Sequence, residues 1–95
     1  MTIQKRALTR YGEHRQLLKC AEEAAELAAA ITRYLANPCD ETAGSVIEEA
    51  ADVENCAEYL RIIFGRFAVG MAKDVKLMRL EENLNNNINC GGING

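Results

Sequence analysis

Apolar positions recur at helical spacing along most of the chain. Between residues 11 and 36, Leu17, Ala24, Ile31 and Leu35, with Leu27 and Ala28 between them, form one stripe in an Ala-rich segment. That spacing, in the best helix-forming residue type, predicts a long helix. Asn37-Pro38 ends it, because the residue before proline is pushed out of the helical region and proline cannot continue the hydrogen-bond ladder. A second helix follows, with Asp40, Thr42 or Ser45 as its cap; Ser45 has Glu48 three positions on, in a capping-box pattern. Its stripe is Val46, Ala50, Val53, Ala57, Leu60 and Phe64, closed by Gly65. A third helix is expected over about residues 68–84, with Met71, Val75, Leu77 and Met78 as its apolar positions. Ahead of Tyr11, Lys5, Arg6 and Arg10 sit in a short basic lead-in helix that breaks near Gly12.

The fold class is therefore all-α: a helical hairpin plus a third helix. Residues 1–84 form the helical domain and 85–95 a flexible Asn/Gly-rich tail, which holds too little apolar surface to offset its ordering entropy. Ninety-five residues cannot cover both sides of such stripes, and Ile47 and Ile62 fall outside the main stripe of the second helix. The expected assembly is a four-helix-bundle-type homo-oligomer, a dimer or tetramer.

Composition narrows the function classes. One Pro and sparse Gly before position 65 leave too few turn signals for a β-sandwich or barrel. No run of eighteen apolar residues and no signal-peptide stretch occur, so no membrane partner is expected and the expected compartment is the cytoplasm. The cysteines, Cys20, Cys39, Cys56 and Cys90, show no zinc spacing and read as reduced thiols, with Cys20 and Cys56 as small core residues.

A net charge of −3 argues against a nucleic-acid polymer as partner, but it hides a split. Residues 20–58 carry ten acidic groups and one base, Arg33, a balance of −9; the rest of the chain carries ten bases and four acids, a balance of +6.

A helical wheel shows where those acids point. With Val46 at zero and about 100° per residue, the apolar stripe of the second helix lies within about 40° of zero, widened by Cys56 and Ile63 to about 260°. Glu49 falls at about 300° and Asp52 at about 240°, inside the stripe or on its shoulder. On the first helix, with Leu17 at zero, Glu23 lies at about 240°, at the edge of the apolar arc, and Glu26 at about 180° on the same flank. Residues i and i+3 are neighbours on a helix surface, so Glu23/Glu26 and Glu49/Asp52 are two carboxylate pairs, which an antiparallel hairpin can bring to one level. Four like charges at an apolar seam call for a counter-charge. A hard divalent cation supplies it, and Mg²⁺, or Mn²⁺, suits an all-carboxylate set. Iron is disfavoured, since the one histidine, His14, stands outside both pairs. Non-catalytic readings remain beside this one: acidic helix faces that merely solvate a surface, a helical dimerisation module whose acidic seam binds a basic partner or specifies pairing, or a module that binds nucleotide or metal without hydrolysis.

Glu22-Glu23-Ala24-Ala25-Glu26, followed after twenty-two residues by Glu49-Ala50-Ala51-Asp52, resembles the EExxE…ExxD signature of the MazG-like nucleoside triphosphate pyrophosphohydrolases. Tyr11-Gly12-Glu13-His14-Arg15-Gln16-Leu17 is similar to the approach to that motif in compact members. The resemblance covers about residues 8–82. It implies an all-α homo-oligomer that uses Mg²⁺ to cleave a nucleoside triphosphate to the monophosphate and pyrophosphate. Carried over residue by residue, Glu23, Glu26, Glu49 and Asp52 are the metal ligands, and Glu22 or Glu26 accepts a proton from the attacking water. Lys76 and Arg79, with Lys73, are candidates for the phosphates, or else a solvated basic stripe. Tyr11, His14 and Gln16 are candidates for the base, with core packing as the other reading of Tyr11.

Overall fold

The computed structural model describes residues 1–89, with side-chain surroundings through residue 86. Among these residues the chain is four helices without a strand: α1 (Ile3–Tyr11), α2 (Glu13–Ala36), α3 (Asp40–Phe64) and α4 (Arg66–Asn89). It divides into two compact units, residues 1–63 and residues 64–95. No helix among the described residues is long and apolar enough to cross a membrane.

The basic lead-in is α1. Its first turn is capped by Thr2, whose hydroxyl oxygen accepts from the Lys5 amide at 3.1 Å. It ends where Gly12 adopts φ +90°, a conformation that a side chain would strain, and α2 begins immediately. Asn37 closes α2, its amide donating to the Arg33 carbonyl at 3.0 Å. After Pro38 the cap of α3 is built by Cys39 and Thr42. The Cys39 amide donates to the Thr42 hydroxyl at 3.1 Å, and that hydroxyl reaches back to the Asn37 carbonyl at 2.9 Å. Thr42 thus fills the returning half of a capping box. Ser45, one of the three expected caps, lies inside α3 instead, its hydroxyl donating to the Glu41 carbonyl.

In the first unit α2 and α3 form the expected hairpin. The Cys20 thiol of α2 donates to the Cys56 carbonyl of α3 at 3.6 Å, and both cysteines are buried, as expected of small core residues. The expected stripe of α3 is half-buried from Val46 to Leu60, but the face that α2 buries is not its expected stripe. The buried residues of α2 are Gln16, Cys20, Glu23 and Ala30, a face turned away from Leu17 and centred beside Glu23. Ile31, Leu35 and Phe64, expected in the core, are exposed. The fully buried apolar residues are small, Cys20, Ala30 and Cys56, whereas Val46, Val53, Leu60 and Ile63 of the α3 stripe are half-buried.

Among the described residues the second unit holds α4, preceded by Phe64 at the end of α3 and by Gly65. The helix starts two residues before the expected position and runs through Asn89, five residues into the segment expected as a flexible tail. Extending a formed helix adds a hydrogen bond for each residue ordered, so Leu84 and the asparagines after it continue a helix they would not start. The rest of the expected tail, with Cys90, lies outside the described residues.

Candidate metal centre

The rotation of α2 decides the site. Glu23, at the edge of the arc on the sequence wheel, is in the middle of the buried face, between Cys20 and Ala30, and only 9% exposed. Opposite it, α3 presents Glu49, half-buried, and Asp52, exposed. One carboxylate oxygen from each of Glu23, Glu49 and Asp52 lies within 4.8 Å of the others. Three of the four expected ligands therefore converge. Glu26, the fourth, is exposed and stands beside Glu49 rather than in that three-way cluster.

Electrostatics shows what this grouping does. Burial, then hydrogen bonding to and repulsion from Asp52, holds the Glu23 carboxyl above its ordinary range; Lys19, with Nζ 3.8 Å from Glu23 Oε1, pulls it only partly back. Burial, then the charge of Glu26, raises Glu49 in the same sense. Both residues also keep one oxygen that is buried and has no hydrogen-bond donor: Glu23 Oε2 and Glu49 Oε2. Orphaned buried oxygens are rare in folded proteins and costly to retain. A divalent cation of hard-oxygen preference fits three carboxylates so placed and would offset their accumulated negative charge. Deeper in the seam, burial and the neighbouring Cys20 push the Cys56 thiol up to about 12, so it stays neutral and adds no charge.

The other expected site residues fall in three places. Glu22 is exposed on α2, one residue before the buried ligand. Tyr11 is half-exposed, with the Arg15 and Arg10 guanidinium carbons 5.0 and 5.9 Å from its ring centroid, which answers core packing in the negative. His14 is exposed and Gln16 is buried. Lys73, Lys76 and Arg79 are exposed on α4, in the second unit. Sequence reasoning passed over Arg15 and Lys19. Their signal was present: Arg15, Lys19 and Glu23 stand four apart on α2, the spacing that puts side chains in one row.

No protein-family model, curated protein or solved structure matches the chain.

Proposed function

We propose that the protein is a Mg²⁺-dependent hydrolase that cleaves a nucleoside triphosphate to the monophosphate and pyrophosphate, in the manner of the MazG-like enzymes its acidic words resemble. The observation that carries this reading is the convergence of Glu23, Glu49 and Asp52 across the hairpin, with Glu23 and Glu49 each keeping a buried oxygen that no donor engages. A protein that folds around ionisable groups in this state gains by binding a cation there. Glu23, Glu49 and Asp52 would hold Mg²⁺, or Mn²⁺, and Glu26 beside Glu49 completes the charge. Such an ion, when bound, would offset the charge of a triphosphate and supply a more acidic water. In the reaction the water oxygen bonds to the α-phosphorus, the bond from that phosphorus to the bridging oxygen breaks, and pyrophosphate leaves with the electron pair. Glu22 or Glu26, both exposed and next to the ligands, accepts the water's proton. Lys76 and Arg79 remain candidates for the departing phosphates.

The working unit is a homo-oligomer. Leu35 is 72% and Ile47 69% exposed, and Phe67, Met71 and Met78 are exposed on α4. So much uncovered apolar surface on a chain with so small a core favours pairing with further copies.

The test is turnover. Purified protein is incubated with each common NTP and dNTP and Mg²⁺, and pyrophosphate is measured. Release from at least one nucleotide, reduced about 10²-fold or more by Glu49→Gln with helical circular dichroism intact, is the expected result. No release from any nucleotide by folded protein would refute the assignment. A non-catalytic helical dimerisation module, which the exposed apolar residues also favour, would show in addition no stabilisation by Mg²⁺.

A further inference from the structure

Beside the carboxylates, Arg15, Gln16, Leu18, Lys19 and Glu22 line a groove of about 330 Å³ on α2. Small-ligand sites begin at about that size. Its two ends differ chemically. At one end Lys19 is in contact with Glu23, so the groove opens directly beside the candidate metal centre. At the other end Arg15 shares the Tyr11 ring with Arg10. Two guanidiniums drawn to one ring repel each other, and an anion between them would turn that repulsion into charge-assisted hydrogen bonds. The wall carries a third feature. Gln16, one of the residues that line it, is only 5% exposed and carries an amide with both donor and acceptor groups.

We propose that this groove seats the triphosphate chain of the substrate, with Arg15 and Lys19 as its positioning residues and the Gln16 amide as a hydrogen-bonding partner of the same nucleotide. The inference rests on the carboxylates being a triphosphate-hydrolysing centre, and it names residues of that site on α2 itself. A cation at Glu23 would release Lys19 from its present contact, leaving the ammonium free to follow the phosphates along the groove. Arg15 offers a planar fork that matches a phosphate, and Arg10 adds charge behind it. A mononucleotide fits a pocket this short; an extended strand would need a longer basic track.

The experiment separates the groove from the hydrolysis. Binding of the four α,β-methylene dNTPs and of inorganic triphosphate is measured calorimetrically on the full chain with Mg²⁺, for wild type, Arg15→Ala, Lys19→Ala and Arg15→Lys. At least one nucleotide should bind. Arg15→Ala and Lys19→Ala should each weaken it about tenfold or more, a loss of the size expected for one charge-assisted contact, and weaken inorganic triphosphate alike. Arg15→Lys should recover part of the loss. Thermal stabilisation by Mg²⁺ alone should be the same in Arg15→Ala as in wild type, which a merely structural arginine would not guarantee. In turnover the two alanine variants should raise KM more than they lower kcat. If wild type hydrolyses nucleotides but both alanine variants bind within twofold of it, the groove is overturned and the hydrolase reading stands. If wild type binds nucleotide through Arg15 and Lys19 but releases no pyrophosphate, the groove stands and the hydrolase reading falls. Absence of nucleotide binding by wild type overturns the groove outright.

Discussion

About three turns of one helix separate two stretches that the fold treats in opposite ways. At Glu23 the hairpin buries a carboxylate beside two further acids, and at Leu35 it leaves a large aliphatic side chain in water. The first arrangement sets like charges against one another in low dielectric; the second forgoes burial worth roughly 1.5–3 kcal/mol for a full leucine side chain. Neither stabilises the isolated chain. Under the proposed reading both are completed from outside, by a cation at the acidic level and a second copy at the apolar tip.

The acidic level should give the largest effect. Glu23→Gln keeps the shape and removes the charge, so the metal-free protein should melt at a higher temperature at neutral pH while turnover falls about 10²-fold or more and Mg²⁺ no longer stabilises it. The pH dependence has a definite sign. Glu23 and Glu49 are held above the ordinary carboxylate range, so the folded chain binds protons more tightly than the unfolded one. Metal-free stability therefore falls as pH rises through the raised values and recovers as pH drops back through them. Saturating Mg²⁺ should flatten that slope, and Glu23→Gln should reduce it. A metal-free variant that melts lower than wild type at neutral pH would mean the buried acid is already satisfied within the monomer, and the contrast would break at its stronger end.

The apolar tip should respond next. Leu35→Glu and Ile47→Glu change residues that are already exposed in the chain, so helical content should be preserved. The apparent self-association constant should weaken about tenfold or more, as expected for about 1.4 kcal/mol lost at an interface. Sedimentation at micromolar protein reads this directly. Unchanged association by both variants would move the interface elsewhere, with the exposed stripe of α4 as the next surface to alter.

How these regions were read from sequence differs for a physical reason. The helices were legible because Ala-rich periodicity, Asn37-Pro38 and Gly65 act locally, and the acidic words were legible because their spacing repeats on two consecutive helices. The face that α2 buries was not. A wheel weights residues by hydrophobicity and placed Ile31 and Leu35 inside, whereas α2 buries Gln16, Cys20, Glu23 and Ala30, a face it shares with Cys56 of α3. That same rotation carries Glu23 from the edge of the arc to its middle, so the sequence wheel understated the site's most buried ligand. Thr42 was legible as a capping residue but not as the returning partner of Cys39, since either end of a capping box satisfies the same local pattern. Arg15 and Lys19 escaped notice because exposed bases are common, and only the groove beside Glu23 distinguishes them.

The smallest effect concerns the thiols, which sample both regions at once. Cys20 and Cys56 are buried one turn from the acidic level, out of reach of a reagent while the seam is closed, and burial pushes the Cys56 thiol up to about 12, so it presents no thiolate at neutral pH. Cys39 is exposed at the hairpin turn, and its hydrogen bonds with Thr42 draw its pKa below the usual thiol value. In a Cys90→Ser background, iodoacetamide should therefore alkylate Cys39 first, with mass spectrometry of the peptides as the readout. Modification of Cys20 and Cys56 then proceeds only as fast as the hairpin opens, and Mg²⁺ should slow it, because a cation that holds Glu23 to Glu49 and Asp52 ties α2 to α3 beside both thiols. Equal rates at all three cysteines would show a seam that opens freely, and a buried carboxylate in such a seam would be under no constraint that a metal could relieve.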